Sequence, residues 1–262
     1  MLGLGRDKSG WRWAACGKHP LGKDYFRFDV SSPLQSAFAT WVDQGFSSLD
    51  DDPDIRRAIC FWRFWAKGAK KGQLACGLLK ASSDGIGRPY PLLIVGTGYR
   101  NGWEKHWEQL PRVLENIWQH MEYIAARRFE HLHELEEAVR QMRPPGDIKP
   151  EETGRHPLDP GKSSLADITG SAGSMAYDAG RLKSEQVIWV PLDDQGLMAP
   201  SVMPVIWGSC LKGHGLDAPR AFFIGGPPGK TFVVIFFRSL QPQDFVQFWS
   251  TGKISGFNNP NG

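Results

Sequence analysis

The chain of 262 residues has a formal net charge of +3 at pH 7, 41% hydrophobic residues and 11 tryptophans. A chain of this length buries about three quarters of its unfolded surface and forms one domain or a closely joined pair. Acidic and basic residues alternate rather than cluster, which argues against a nucleic-acid partner.

Both strands and helices are predicted in the first half of the chain. Ser32 precedes Pro33, and a serine cap before a proline at the first helical position is a typical helix start. Apolar residues then recur at helical spacing as far as the acidic run that begins at Asp50. A second helix start is predicted at Pro111, with one long helix or two joined near Ala125. Strands are predicted for the short apolar runs at residues 11–16, 59–65, 74–79 and 92–95.

The composition changes over residues 143–184, where Pro, Gly, Ser, Thr and Asp dominate. Such a segment lacks the apolar residues needed to fold by itself, so we expect a flexible insertion. Strands before and after a group of helices suggest a central sheet with helices on its faces, which is an α/β fold. Beyond the insertion, strands are predicted at 186–190, 203–207, 221–224 and 231–237, and a closing helix at 244–249.

Targeting signals and cysteine chemistry leave a simple expectation. No apolar run reaches the roughly 18 residues of a membrane span, and no leader pattern is visible at the N-terminus. We therefore expect a cytoplasmic protein with no membrane insertion. The cysteines have no metal-binding spacing and lie in apolar surroundings, which predicts buried, reduced thiols at Cys16, Cys60, Cys76 and Cys210.

Two loops carry the most specific pattern. The first, residues 17–25, reads Gly-Lys-His-Pro-Leu-Gly-Lys-Asp-Tyr, and the second, residues 81–92, reads Ala-Ser-Ser-Asp-Gly-Ile-Gly-Arg-Pro-Tyr-Pro-Leu. Glycines in the second loop permit a tight turn between two apolar runs. Asp84 and Arg88 are predicted to fix this turn as an ion pair or as backbone anchors, with partner contact as the alternative. Asp24 is expected to brace the first loop against the second.

These loops resemble the signature segments of the TagF/ImpM family, which is associated with bacterial type VI secretion. The family's Gly-Lys-x-Pro-x-x-Gly-Asp-Phe loop is matched with Lys23 in place of a glycine, and its Pro-Ser-x-Asp-x-x-Gly-Arg-x-x-Pro-Leu segment with Ala81 in place of a proline. A single tryptophan stands where the family usually has two. The matching positions, and thus the candidate partner-binding residues, are Gly17, Lys18, Pro20, Asp24, Tyr25, Arg27, Ser82, Asp84, Gly87, Arg88, Pro91 and Trp207.

The resemblance implies a three-layer α/β/α sandwich with a central mixed sheet. Residues 1–142 and 185–262 would complete one domain around the insertion. It further implies a non-enzymatic accessory protein, without catalytic residues, cofactor or metal. Such a protein restrains secretion after translation by binding a cytoplasmic scaffold with a forkhead-associated domain. Trp207, Arg88 and Tyr25 are then the candidate interface anchors.

Other functions stay open at this point, namely a structural component of the secretion baseplate and a small nucleotide-binding or hydrolase enzyme. Residues 225–231 superficially resemble a phosphate-binding loop, but the spacing is one residue short and two prolines remove N–H donors, so a strand–strand turn is predicted. His131 and His133 would point in different directions on a helix and cannot both ligate one metal. No Gly-x-Ser-x-Gly nucleophile motif is present.

Overall fold

The computed structural model describes residues 10–49, 53–146, 186–192, 203–213 and 215–251. Eight strands in these ranges form one sheet, and every pairing between neighbours is antiparallel. The strands are β1 (Arg12–Gly17), β2 (Phe26–Phe28), β3 (Phe61–Lys67), β4 (Gln73–Lys80), β5 (Leu92–Tyr99), β6 (Val187–Pro191), β7 (Ala221–Gly226) and β8 (Phe232–Phe236). Their order across the sheet is β2-β1-β5-β4-β3-β7-β8-β6.

Helices occupy both faces of this sheet. They are α1 (Pro33–Ser47), α2 (Pro53–Arg56), a 3₁₀ helix (Trp103–Gln109), α3 (Leu110–Ala126), α4 (Leu132–Arg140), α5 (Met203–Gly213) and α6 (Pro242–Ser250). The start of α1 is the one the sequence predicts. The Ser32 hydroxyl accepts a hydrogen bond from the Gln35 backbone N–H at 3.1 Å, and the Ser32 N–H donates to the Gln35 side chain at 3.0 Å. This reciprocal pair satisfies two donors that a helix leaves without partners.

Aromatic side chains divide between the two faces because successive residues of a strand point in opposite directions. On one face Trp62 stacks on Phe248 of α6, with ring centroids 4.3 Å apart, and Phe64 stacks on Phe38 of α1 at 4.7 Å. On the other face Trp65 packs against Trp103 and Trp107 of the 3₁₀ helix, with ring centroids 5.4 and 6.3 Å apart, in a core that also contains residues of α3, α4 and α5. The sheet therefore has a separate core on each side.

The α/β class is confirmed, but the expectation of a mixed sheet is corrected to an antiparallel one. The reason lies in the connections, because β3–β4, β4–β5 and β7–β8 are consecutive neighbours joined by short links, and such links join antiparallel strands. The turn predicted at residues 225–231 is confirmed as the β7–β8 link.

The strand predicted at residues 203–207 is wrong, since Met203–Gly213 forms helix α5. Pro204 suits a helix start, and Trp207 and Leu211, four residues apart, are buried in one core. The predicted helical segment after Pro111 divides into α3 and α4. Strand β2 and the 3₁₀ helix have no counterpart among the predictions. From residue 147 to 184 the predicted insertion lies outside the described residues, and the division into domain parts stays a prediction.

Candidate functional site

Strand pairing brings the two signature loops together. Strand β1 ends at Gly17, which pairs with Leu92 at the start of β5. The loop that follows β1 and the loop that precedes β5 therefore leave the sheet side by side, at the same end of these two strands. We call residues 17–27 and 82–92 together the loop junction.

Asp84 lies at the centre of the loop junction, with its side chain fully buried. One carboxylate oxygen, Oδ1, accepts hydrogen bonds from the backbone N–H groups of Ile86 at 3.2 Å and Arg88 at 2.9 Å. The other, Oδ2, lies 2.6 Å from Arg88 Nε and 3.0 Å from Lys18 Nζ. Four donors thus occupy the acceptor sites of one carboxylate.

These contacts hold Asp84 in its ionised form. Burial opposes ionisation of the carboxyl, but the hydrogen bonds from Lys18 and from the backbone and side chain of Arg88 outweigh it, so the pKa of Asp84 is lowered below its ordinary value. The expected Asp84–Arg88 ion pair is confirmed. Lys18, which matches the family motif, is a second cation on the same carboxylate. The sequence pattern did not predict this contact between Lys18 and Asp84.

Contacts between the two loops extend beyond Asp84. Arg88 donates from Nη2 to the Lys23 carbonyl at 2.9 Å and lies 3.5 Å from Asp24 Oδ2. The expected bracing by Asp24 is therefore present. The Gly85 N–H donates to the Gly22 carbonyl at 2.8 Å. Backbone and side chains together fix the relative position of the loops.

Gly17 occupies a position that only glycine fits. Its φ is +123°, which L side chains rarely adopt, and a Cβ there would overlap the carbonyl oxygen of Pro91. Gly87 also has a positive φ, +83°, but a Cβ on it would point into open space. The close approach at Gly17 is what allows the two loops to leave the sheet in contact.

The outer surface of the loop junction carries large exposed side chains. Ile86 is 76% exposed and Tyr25 is 42% exposed. The Tyr25 ring packs edge-on against Tyr90 at 5.4 Å, and the Tyr90 hydroxyl donates to Asp43 at 3.1 Å. Burial raises the pKa of both tyrosines, so both hydroxyls stay protonated. A rigid, mixed apolar and polar surface results.

Eleven of the twelve candidate residues lie in the loop junction, and one does not. Trp207 is buried on α5 and is only 1% exposed, so it offers a partner no surface. Its candidate role as an interface anchor is corrected to a role in the core. The residues brought together are Gly17, Lys18, Pro20, Asp24, Tyr25, Arg27, Ser82, Asp84, Gly87, Arg88 and Pro91.

The described part of the chain also shows how the residues considered for metal, thiol and phosphate chemistry are arranged. Its histidines, cysteines and carboxylates form no group of three or more that could hold a metal. All four cysteines are buried and free, as predicted. Residues 225–231 link two strands, so no helix N-terminus faces a phosphate there.

A cleft beside the loop junction is the feature that the sequence patterns missed. It has a volume of about 700 Å³ and lies where β3 begins and β4 ends. Its cationic side chains come from two Arg-Arg pairs, at residues 56–57 and 127–128, and from Lys80. Each pair alone resembles an ordinary solvated helix end, so only the fold reveals that they line one cleft.

The fold and the loop junction define an α/β protein with helices on both faces of an antiparallel sheet and two loops fixed by a buried carboxylate. Residues 14–143 match the family model described as the TagF N-terminal domain, type VI secretion system-associated. This segment, 130 of the 262 residues, is therefore a TagF N-terminal domain.

The fold also has a solved counterpart. The crystal structure of PA0076 from Pseudomonas aeruginosa PAO1 is similar over 95% of this chain and 97% of its own, with a TM-score of 0.54 and 16% sequence identity. No curated protein matches the chain. Among the described helices, none is long and apolar enough to cross a membrane.

Proposed function

We propose that this protein is a non-enzymatic negative regulator of a type VI secretion system. It acts after translation, in the cytoplasm, by binding a scaffold component that contains a forkhead-associated domain. The TagF N-terminal domain supports the association with type VI secretion. The mode of action and the partner are the proposed part.

The occupied carboxylate of Asp84 is the observation that carries the binding role. A general base or a metal ligand needs an acceptor site for its substrate or ion, yet both Asp84 oxygens already accept two donors each. The lowered pKa also removes Asp84 as a proton donor near neutral pH. The cluster of polar contacts around Asp84 therefore fixes the conformation of the two loops.

The exposed surface of the loop junction supports protein binding. Tyr25, Ile86 and Arg88 project from a rigid base, and tyrosine and arginine are typical interface anchors. A stable interface of standard size buries about 1,600 Å² in total, which a loop pair with adjoining sheet and helix surface can provide. A rigid base also reduces the entropy lost on binding.

Gene deletion with complementation tests the proposal. Loss of a repressor raises secretion, and the wild-type gene restores the low level. The double variant Tyr25→Ala/Ile86→Ser should fail to restore it and should no longer retain the forkhead-associated scaffold in pull-downs. The matched control, Lys70→Ala/Lys71→Ala, alters exposed residues at the opposite end of the β3–β4 hairpin and should complement fully.

The gene deletion and a nucleotide-binding measurement separate the rival functions. A baseplate component predicts that deletion abolishes secretion, which would overturn the regulatory role. A nucleotide-binding enzyme predicts calorimetric ATP or GTP binding that is lost in Lys230→Ala. Nucleotide binding that depends on Lys230 would overturn the non-enzymatic assignment. We expect no heat of binding with the wild type or with Lys230→Ala.

A further inference from the structure

The charged residues that line the cleft beside the loop junction are all basic, among the residues described. Its lining includes Arg56, Arg57, Lys80, Arg127 and Arg128, and no aspartate or glutamate is among the described residues that line it. Cations that share a concave surface raise the local concentration of anions. The cleft volume of about 700 Å³ is within the range of natural ligand sites.

Three of these cations already have structural contacts. Lys80 Nζ donates to the Ala125 carbonyl at 3.2 Å, near the end of α3, where a cation is favourable. Arg127 lies over the Phe129 ring at 4.9 Å. Arg56 donates to the Leu49 carbonyl at 3.2 Å. These residues set the shape and potential of the cleft, and structural contacts account for their presence.

Arg57 and Arg128 are different. Both are exposed, and neither forms an ion pair with a carboxylate of the described ranges. Arg57 follows α2, which belongs to the helix layer of α1 and α6, whereas Arg128 follows α3 on the opposite layer. Arg57 and Arg128 thus approach the cleft from the two faces of the sheet.

An apolar contact accompanies the charges. Ile59 lines the same cleft and is 70% exposed. A large aliphatic side chain exposed between cations suits a ligand that is apolar in its middle and acidic on its flanks. Inorganic phosphate would not use this contact, because it has no apolar group to pack against Ile59.

We propose, building on the binding role argued above, that this cleft binds an acidic segment of a partner protein in which carboxylates flank an apolar side chain. Arg57 and Arg128 pair with the carboxylates, and Ile59 contacts the apolar residue. Pro89 and Pro91 also line the cleft, so a segment bound there lies against the loop junction.

A labelled peptide tests the proposal on the full chain. The probe is a short fluorescein-labelled peptide with Glu and Asp on both sides of a Leu-Leu pair, and its binding is followed by fluorescence polarisation. Arg57→Glu/Arg128→Glu should weaken binding about tenfold or more, equivalent to ~1.4 kcal/mol. Ile59→Ser should weaken binding while leaving its salt dependence unchanged. Circular dichroism melting checks that each variant is folded.

The matched control is Lys70→Glu/Lys71→Glu, which makes the same change in charge at the far end of the β3–β4 hairpin. It should bind the peptide as the wild type does. Equal weakening by both double variants would reduce the effect to overall charge and overturn the proposal. The proposal also fails if inorganic phosphate displaces the peptide better than chloride at equal ionic strength.

An acidic segment of the chain itself could compete with the peptide for the cleft, and a further variant tests this. The acidic run Asp50–Asp52 precedes α2 and lies outside the described residues. If the wild type ignores the peptide but Asp50→Asn/Asp51→Asn/Asp52→Asn binds it, the cleft belongs to this run and the proposal is wrong. The peptide assay needs no secretion system, so its failure and the failure of the proposed regulatory function are observed separately.

Discussion

Lys18 Nζ lies 3.0 Å from Asp84 Oδ2, and this ion pair ties the exit of β1 to the turn that precedes β5. The Asp84 side chain is fully buried, whereas the Lys18 side chain is 13% exposed. The pair is therefore shielded from solvent and salt more than a surface pair would be. Its strength should appear as a dependence of stability on pH.

Asp84→Asn should remove that pH dependence. The folded-state pKa of Asp84 is below its ordinary value of 3.8. Its stabilising contribution is therefore fully present above pH 3.8 and is lost progressively below that value, as the pH falls through the folded-state pKa. The variant should unfold at lower urea concentration near pH 7, and its difference from the wild type should shrink below about pH 4. Asp24→Asn, at a side chain that is 71% exposed, is the control and should change little. A difference that stayed constant into the acid range would contradict this assignment.

Gly17→Ala should destabilise the fold more than Gly87→Ala. The first substitution combines a positive φ with overlap against the Pro91 carbonyl, which predicts a loss of about 1–3 kcal/mol or more. The second has a positive φ and open space, so only the conformational cost of about 1 kcal/mol is expected. Paired urea titrations measure both. Equal losses would show that the close approach of the loops carries no energy.

Arg63→Ala should destabilise the packing of α3 on the sheet. Arg63 on β3 forms ion pairs with Glu115, at 3.0 Å, and with Glu122, both on α3. Its removal leaves two partly buried carboxylates without their cation, for an expected loss of about 1–2 kcal/mol. Thermal unfolding of Arg63→Ala and of Glu115→Gln/Glu122→Gln checks this. The loss in the arginine variant should shrink when both glutamates are already neutral.

Trp207→Ala should act on stability and not on partner binding alone. The side chain is buried in the core on the α5 face, and truncation of such a residue costs about 3–5 kcal/mol. Trp207→Phe should lose less because it keeps most of the buried ring. Chemical denaturation is the measurement. A stable Trp207→Ala protein that fails only in scaffold binding would restore the anchor role.

The four thiols should be unreactive until the chain unfolds. Burial raises the pKa of Cys60 and Cys76, so little thiolate exists at neutral pH, and the sulfur atoms are shielded. A colorimetric thiol reagent should therefore react slowly with the native protein and rapidly in denaturant. Fast reaction of any thiol in the native state would place it outside the core.

Local signals predicted the fold best. The Ser32–Pro33 start of α1 needs only neighbouring residues, and the structure reproduces it. The short apolar run at residues 203–207 was ambiguous because strand and helix look alike over five residues. Only the continued spacing to Leu211 shows a helix. The direction of sheet pairing depends on which strands become neighbours, which no local pattern contains.

The candidate site was predicted in part for the same reason. A specific motif identified both loops, and the turn chemistry of Asp84 and Arg88 followed from residue type. The second cation on Asp84 and the cleft with Arg57 and Arg128 required the tertiary arrangement. Arginines so distant in the sequence share a cleft only because β3 and β4 place the ends of α2 and α3 near one another.

The pairing of β3 with β7 has a consequence for any shortened form of this protein. Strand β7 hydrogen-bonds along β3 from Phe61 to Ala66, so one half of the sheet is built on the other across a central seam. A fragment that stopped at residue 143 would expose that seam as a bare, aromatic-rich edge, the kind of surface that recruits foreign strands and promotes aggregation. Residues well beyond the family-matched segment thus protect it from aggregation, because β7 covers the strand edge that β3 would otherwise expose.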